Sequence, residues 1–309
     1  MSRIQINDVS PRDGLQMESA FVPTAQKIAY VDALSACGFA MVEVTSFTSP
    51  KAIPALADAD EVMQRIARRP GVRYTALVPN VRGLERALAG KPDEINLVMS
   101  SSETHNRANL RMTRAQSLSA LKEVLRAASE VGLPCNVSLS TAFGCPFDGE
   151  VALQEVLRLA AELAAAGAAG ITLCDTTGMA YPTQVAQLCQ AAQDQVQLPI
   201  TIHLHNTRGM GLANALAAWQ VGIVRFDAAS AGLGGCPYAP GASGNVSSEE
   251  LVHMFESMGV DTGVDLPRLL QVVGGVSAMV GRDVDSQLAS AGPRNRRYPP
   301  PAWLAEKFA

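Results

Sequence analysis

Two of the four histidines of this chain stand two residues apart in a short apolar run, Thr201-Ile202-His203-Leu204-His205-Asn206. On a β-strand, residues i and i+2 face the same way, so His203 and His205 would present their imidazoles side by side. Neighbouring imidazoles are a metal-ligand geometry, although a bare His-x-His also fits two hydrogen-bonded strand histidines. The flanking sequence favours the metal. A Ser10-Pro11-Arg12-Asp13-Gly14 turn lies near the N-terminus, and a Gly/Pro-rich segment runs from Gly232 to Asn245. Each of the three stretches follows an apparent strand, and together they read as one site.

Asp13, His203, His205 and Asn245 would offer one divalent ion a carboxylate oxygen, two imidazole nitrogens and an amide oxygen. Mixed oxygen and nitrogen ligation without thiolate suits Mg²⁺ or Mn²⁺ better than structural zinc, while the imidazoles leave Zn²⁺, Co²⁺ and Fe²⁺ open. With a single anionic ligand the ion keeps net positive charge, which an anionic substrate would complete. Arg12 is permanently charged and suited to neutralising a developing enolate oxygen beside Asp13. It is equally suited to an ion pair with Glu43 or Asp175, and those carboxylates would then hold it in position. The segment 232–245 has too much glycine for regular structure and enough proline to limit its motion, so it reads as a lid over substrate. Cys236 at its centre is read as a proton donor or relay. His105, placed in a polar loop, and His253, in a late helix, receive no role.

These groups need elements to position them. Runs rich in β-formers at 3–9, 40–45, 73–78, 94–99, 135–141, 170–174, 200–205 and 224–228 alternate with segments of helical period at 24–37, 53–68, 81–88, 114–131, 151–166, 182–196 and 210–221. Eight strands in strict alternation predict an α/β protein, a (β/α)8 barrel. A doubly wound sheet fits less well, because the first strand leads into Pro11-Arg12-Asp13-Gly14 rather than a Gly-x-Gly-x-x-Gly turn. In such a barrel catalytic groups gather at the C-terminal strand ends. That edge would carry Arg12, Asp13, Glu43, Asp175, His203, His205 and the 232–245 loop, and polar residues read as otherwise scarce in the strands. Helices at 247–258 and 267–280 are expected to extend the barrel, giving a domain over 1–285 and a proline-rich tail over 286–309.

Composition narrows the partners. A formal net charge of −4 with no long Lys/Arg cluster argues against nucleic acid or an anionic membrane as the main partner. Even the Ala-rich stretch 151–170 carries Glu155, Arg158 and Glu162, so no apolar run is long enough to cross a bilayer. The start of the chain lacks the apolar core of a signal peptide, and a cytosolic protein is expected. The six cysteines form no Cys-x-x-Cys pair, so neither disulfides nor a thiolate zinc site is expected. The outer helices of a barrel are expected to support a homo-oligomer.

Ser10-Pro-Arg-Asp-Gly-Leu-Gln16, Val42-Glu-Val-Thr-Ser-Phe47 with Ser49-Pro-Lys51, His203-Leu-His205 and the Gly232 to Asn245 segment closely resemble the 3-hydroxy-3-methylglutaryl-CoA lyase family. That family belongs to a metallolyase group of barrels with an Asp-Arg-Glu signature, and the resemblance runs from about residue 3 to 282. It implies a (β/α)8 barrel, a Mg²⁺ or Mn²⁺ ion and cleavage of a 3-hydroxyacyl-CoA into acetyl-CoA and a keto acid. It further implies metal ligation by Asp13, His203, His205 and Asn245, enolate stabilisation by Arg12, acid/base chemistry at Cys236, and support from Glu43 and Asp175. Arg82, Arg107 and Arg111 are the cations considered for the CoA nucleotide. The chain departs from the pattern at Asn206-Thr207-Arg208, at Met17, at Ser138, where a pocket tyrosine is expected, and over 101–114. These departures bear on the acyl group, with citramalyl-CoA the alternative to hydroxymethylglutaryl-CoA. A condensing synthase and a non-catalytic binding protein on the same scaffold are the more distant readings.

Overall fold

The computed structural model describes residues 3–235, 244–284 and 286–301. Strand and helix alternate along the chain: β1 Gln5–Asp8, α1 Thr24–Ser35, β2 Met41–Ser46, α2 Ala59–Arg65, β3 Arg73–Leu77, α3 Val81–Ala89 and β4 Glu94–Ser100. Two helices follow, α4 Glu103–Leu110 and α5 Arg114–Glu130, then β5 Cys135–Ser140, α6 Leu153–Ala165, β6 Gly170–Asp175, α7 Pro182–Gln195, β7 Ile200–Leu204, α8 Gly211–Gln220 and β8 Arg225–Ala228. The strands pair in parallel and in order, and β8 closes onto β1 through partners running from Gln5 with Arg225 to Asp8 with Ala228. This is the expected (β/α)8 barrel. Four helices come after it: α9 Ser248–Ser257, α10 Leu266–Gly274, α11 Val276–Val280 and α12 Gln287–Ala291.

The departures from the expected elements have local causes. The helical segment at 53–68 divides into a short 3₁₀ turn, Pro54–Leu56, and α2. The helix expected at 267–280 breaks at Gly274-Gly275, where two residues of low helix propensity meet. His105 lies inside α4 rather than in a polar loop; the Ser102 side chain caps that helix by accepting from the His105 amide, and Arg111 ends it in the left-handed region. Buried His105 meets the Ser100 hydroxyl through Nδ1 at 2.6 Å, a structural setting. Within the expected tail, Ser286 caps α12 in the same way.

The strands alternate more strictly than the sequence reading recognised. Ile6, Val42, Tyr74, Ile95, Val137, Ile171, Ile202 and Phe226 are all buried and belong to the hydrophobic layer that the helices cover. Many of the intervening residues that point to the barrel axis are polar. Asn7, Glu43, Thr75, Asn96, Asn136, Thr172, Thr201 and Asp227 line an internal cavity of about 20 Å³, room for roughly one water. Polar side chains are therefore not confined to the C-terminal edge as expected, and the barrel axis is a hydrogen-bonded column. Asn136 Nδ2 donates to Asn96 Oδ1 at 3.1 Å and to Thr172 Oγ1 at 2.8 Å, and Ser138 Oγ donates to Asn96 Oδ1 at 2.9 Å.

One buried carboxylate locks the seam where the barrel closes. Asp8 accepts from the Ser10 amide at 3.0 Å, from the Ser230 amide at 3.1 Å and hydroxyl at 2.6 Å, and from the Ser248 hydroxyl at 2.7 Å. The Ser10 hydroxyl also donates to it, and Tyr30 meets that hydroxyl in turn. Burial pushes the Asp8 carboxyl above the usual carboxylate range despite these donors. Through them β1, the turn after it, the end of β8 and α9 share one anchor. Asp8→Ala strands several buried donors at once, and each unsatisfied group costs about 1 to 3 kcal/mol. The expected loss is at least about 3 kcal/mol of unfolding free energy, read as a lower urea midpoint at unchanged slope.

Candidate metal centre at the barrel mouth

The turn after β1 supplies the first two site residues. Residues Ser10–Gly14 form a single π-type turn in which the Val9 carbonyl accepts from the amides of Arg12 at 3.2 Å, Asp13 at 2.7 Å and Gly14 at 3.4 Å. Such wide turns recur at functional sites because they redirect side chains within one turn of chain. Here the turn carries Arg12 and Asp13 over the barrel mouth. Gly14 packs so closely on Leu233 that a Cβ would lie 2.8 Å from the Leu233 Cβ.

Arg12 is enclosed, only 7% exposed, and is held from two sides. Its Nε donates to Glu43 Oε2 at 2.6 Å and its Nη1 to Asp13 Oδ1 at 2.7 Å. Glu43 is held in turn by Asn96 Nδ2, which donates to Oε1 at 3.0 Å. Burial works against the Arg12 charge, but Glu43 and then Asp13 outweigh it and hold the guanidinium above its usual range. Nη2 makes no hydrogen bond among the described residues.

Asp13, His203 and His205 each offer a ligand atom, and these atoms lie within 4.8 Å of one another, all on buried residues. His203 Nε2 is 4.0 Å from Asp13 Oδ2 and 3.3 Å from His205 Nε2. Two imidazole nitrogens turned toward each other and toward a carboxylate suit lone pairs directed at one ion. Asn245 comes in from the return of the 232–245 loop. It pairs with His205 across an isolated β-bridge, while the Val246 amide donates to the Leu204 carbonyl at 2.9 Å. Its Nδ2 donates to Asp13 Oδ2 at 2.7 Å and to the Leu233 carbonyl at 2.9 Å, which fixes the amide orientation and leaves Oδ1 buried without a partner among the described residues. An orphaned amide oxygen beside a carboxylate and two imidazoles is the donor set that the sequence reading called for, and these residues fit a hard divalent cation.

Electrostatics favour that fit at Asp13 and His205, whereas at His203 the cost of burial is outweighed by Asp227 and Asp13, which hold its imidazole above the usual range. For Asp13 the cost of burial is outweighed by Arg12, then by His203 and His205, and its carboxyl is held down at about 2. Burial, with the charge of His203, pushes His205 down to about 3, so its imidazole is neutral as a ligand must be. Gly234 lies against this group at φ +117°, and a Cβ there would fall 2.5 Å from Asn245 Nδ2. Cys236, the expected acid/base residue, lies outside the described residues.

Residues 3–276 match the family model described as HMGL-like. The chain belongs to the HMGL-like family, and it is a lyase of that family. It is 43% identical over 304 residues to a protein named (R)-citramalyl-CoA lyase from Chloroflexus aurantiacus, covering 95% of this chain and 96% of that one. It is likewise 43% identical to a hydroxymethylglutaryl-CoA lyase of Bacillus subtilis, covering 92% of this chain and 96% of that one. A solved HMG-CoA lyase from Acinetobacter baumannii, described as a complex with coenzyme A and 3-methylmalate, superposes with a TM-score of 0.93 at 46% identity over 97% of this chain and 98% of that one.

For this HMGL-like lyase the structure separates two residues that the sequence reading kept together. Among the described residues Arg12 pairs with Glu43 and not with Asp175. Asp175, at the end of β6, instead accepts from the amides of Met179 at 2.7 Å and Ala180 at 3.1 Å, while its other oxygen is buried without a hydrogen bond. The loop after β6 therefore uses it as its own anchor. Two inward residues of the site escaped sequence reading, Asn96 behind Glu43 and Asp227 behind His203. Their signal was the period-2 polar pattern in Glu94-Ile-Asn-Leu and Arg225-Phe-Asp-Ala, which was masked by the apolar residues between them. Of the cations considered for CoA, Arg107 is engaged with Glu103 at 2.7 Å.

Burial raises the Asp175 carboxyl from 3.8 to about 6, against the two backbone donors. Because its folded value exceeds its unfolded one, the folded chain holds this proton more tightly. The associated stability is complete below about pH 4 and lost as pH rises through about 6. Asp175→Asn keeps an acceptor for both amides and removes the ionisation. Its unfolding free energy relative to the parent should rise by about 2 kcal/mol between pH 4.5 and 7. Parallel stability curves over that range would contradict the assignment.

Proposed function

We propose that this chain is a divalent-metal-dependent carbon–carbon lyase that cleaves 3-hydroxy-3-methylglutaryl-CoA to acetyl-CoA and acetoacetate. The observation that carries the reading is the meeting of Asp13, His203 and His205 ligand atoms beside the buried Arg12 guanidinium. The hydroxymethylglutaryl-CoA lyase of Bacillus subtilis, similar along almost its whole length, supports the substrate.

Asp13, His203, His205 and Asn245 hold the ion, Mg²⁺ or Mn²⁺, which when bound supplies Lewis acidity that makes the substrate's tertiary hydroxyl easier to deprotonate. The hydroxyl proton passes to the Asp13 carboxylate beside the ligand nitrogens, because His203, with one ring nitrogen for the ion and the other protonated toward Asp227, has no lone pair free to take it. As that proton leaves, the C–O bond becomes the ketone of acetoacetate and the C–C bond breaks. Its electron pair moves into the thioester as an enolate. Arg12 faces that oxygen with Nη2, the nitrogen not used by Glu43 or Asp13, and its double anchoring means little reorganisation as charge develops. Protonation of the enolate carbon, assigned to Cys236 of the Gly/Pro-rich segment, gives acetyl-CoA. Glu43 acts through Arg12, and Asp175 shapes the wall formed by the loop after β6.

A second reading is the same chemistry on citramalyl-CoA, giving acetyl-CoA and pyruvate. It is favoured by the similarity to the protein named (R)-citramalyl-CoA lyase and by the short Ser138 side chain, which is turned to Asn96.

Purified protein offered the two acyl-CoAs in parallel, with and without chelator, should release acetyl-CoA from hydroxymethylglutaryl-CoA only when Mg²⁺ or Mn²⁺ is present. Release from citramalyl-CoA alone would select the second reading, and chelator-resistant release would remove the metal. Arg12→Lys loses the two-sided fork and should lower kcat by roughly 10² to 10³ with a smaller change in KM, as loss of an oxyanion donor does.

A further inference from the structure

We propose that Asp227 is a positioning residue of the metal centre, holding the Nδ1–H of His203 so that the opposite ring nitrogen is turned to the ion. The inference rests on the reading that His203 is a ligand.

The backbone places the parts. Asn7 on β1 and His203 on β7 are each the register partner of Asp227 on β8, so the three side chains stand in a row on the inward face of the closing strands. Asp227 Oδ2 faces His203 Nδ1 at 3.4 Å, and its Oδ1 accepts from Asn7 Nδ2 at 2.8 Å. Asn7 is buried, and the internal cavity beside the pair leaves room for roughly one water. The carboxylate is thus held on one side while it receives the imidazole on the other.

The two histidines are not equivalent. Among the described residues His205 Nδ1 is buried with no hydrogen-bond partner, whereas His203 Nδ1 has a carboxylate. With their Nε2 atoms only 3.3 Å apart, the pair has two competing arrangements. In one, a proton on one Nε2 is donated to the other ring, whose Nε2 lone pair is spent accepting it, so neither nitrogen is free for an ion. In the other, both protons sit on Nδ1 and both Nε2 lone pairs are directed outward to a ligand. A carboxylate behind His203 favours the second arrangement on that ring, which is how carboxylates behind metal-bound histidines fix tautomer and ring orientation. His205, without such a partner, depends on the ion itself for its orientation. Asp227 therefore decides whether the pair is preorganised before metal arrives.

The test is Mn²⁺ titration of the full chain followed by EPR, comparing the parent with His203→Ala, Asp227→Ala and Asp227→Asn. Parent binding that is lost in His203→Ala supports the ligand set. On that background Asp227→Ala should weaken Mn²⁺ binding 10- to 100-fold while a cooperative melt is retained. Asp227→Asn, isosteric and still able to accept the Nδ1–H, should fall between the two and carries the test if the alanine variant fails to fold. In ¹⁵N-histidine spectra of the metal-free protein, at a pH where the imidazole is neutral, the His203 ring proton should sit on Nδ1 in the parent and populate both tautomers in Asp227→Asn. A parent without Mn²⁺ affinity, or a His203→Ala variant that binds like the parent, removes the ligand set and the proposal with it. Parent-like Mn²⁺ affinity in the Asp227 variants, with His203→Ala impaired, overturns the positioning role alone.

Discussion

A guanidinium that cannot lose its charge is enclosed at the mouth of this barrel, and the geometry of the site follows from satisfying it. An unpaired charge in such a place costs several kcal/mol, so Arg12 must meet carboxylates on more than one side. Glu43 takes Nε and Asp13 takes Nη1. The second contact uses Asp13 Oδ1 and so commits Oδ2 to the opposite direction, where Asn245 and His203 lie. A single ion pair thereby does two things: it orients the one anionic ligand of the candidate metal centre, and it leaves an arginine nitrogen beside that centre. The Asn96 donation to Glu43 extends the same constraint into the polar column along the barrel axis.

That column explains how a polar interior coexists with a stable barrel. Barrels of this type are commonly filled along the axis by branched apolar side chains. Here the apolar burial is concentrated in the layer between strands and helices, where Phe226, Phe255 and Trp219 stack at ring separations of 5.2 and 6.1 Å. The axis contributes orientation instead. Satisfied networks in a low-dielectric interior resist deformation, and a partly satisfied one would be costly, so Asn96, Asn136, Ser138 and Thr172 act as a unit. Asp8 does for the closing seam what this network does for the axis, tying the Arg12–Asp13 turn to the strand from which the 232–245 loop departs.

Fold and site were legible in the sequence to different depths. Strand and helix periods are local properties, and the eight strands stand where the period-2 runs place them. The convergence of Asp13, His203, His205 and Asn245 was readable because all four flank strand ends, which a barrel brings to one edge. What escaped was set by tertiary pairing. Nothing local to Asp175 distinguishes a partner of Arg12 from an anchor for its own loop, and only the structure shows the Met179 and Ala180 amides turned to it. Asn96 and Asp227 escaped for the opposite reason, since strands buried on both faces read as apolar runs and conceal inward polar residues. The Ser10–Gly14 turn read correctly as a turn, but its wide hydrogen bonding to Val9 is not written in residue types.

The charge balance of the centre bears on which acyl-CoA it admits. Arg12, Glu43 and Asp13 sum to one negative charge, and a divalent ion bound among them brings the group to one positive charge, matching a substrate carboxylate. The two proposed substrates differ by one methylene between that carboxylate and the carbinol carbon. A methylene in an apolar pocket is worth only about 1 to 3 kcal/mol of discrimination, so the metal centre, common to both reactions, decides little. Discrimination falls to the residues that set the reach of the carboxylate. Ser138 presents a hydroxyl committed to Asn96, where a larger side chain would fill space. Arg208, one of the departures from the family pattern, donates to the carbonyls of Thr177 at 3.0 Å and Gly178 at 2.8 Å. Its guanidinium is thus tied to the loop after β6 and fixes the wall that Asp175 anchors from below. A wall held at both ends would yield little to a longer or shorter chain, so under the proposed function acyl length would be selected by the position of that loop relative to Arg12 rather than by the ligands of the ion.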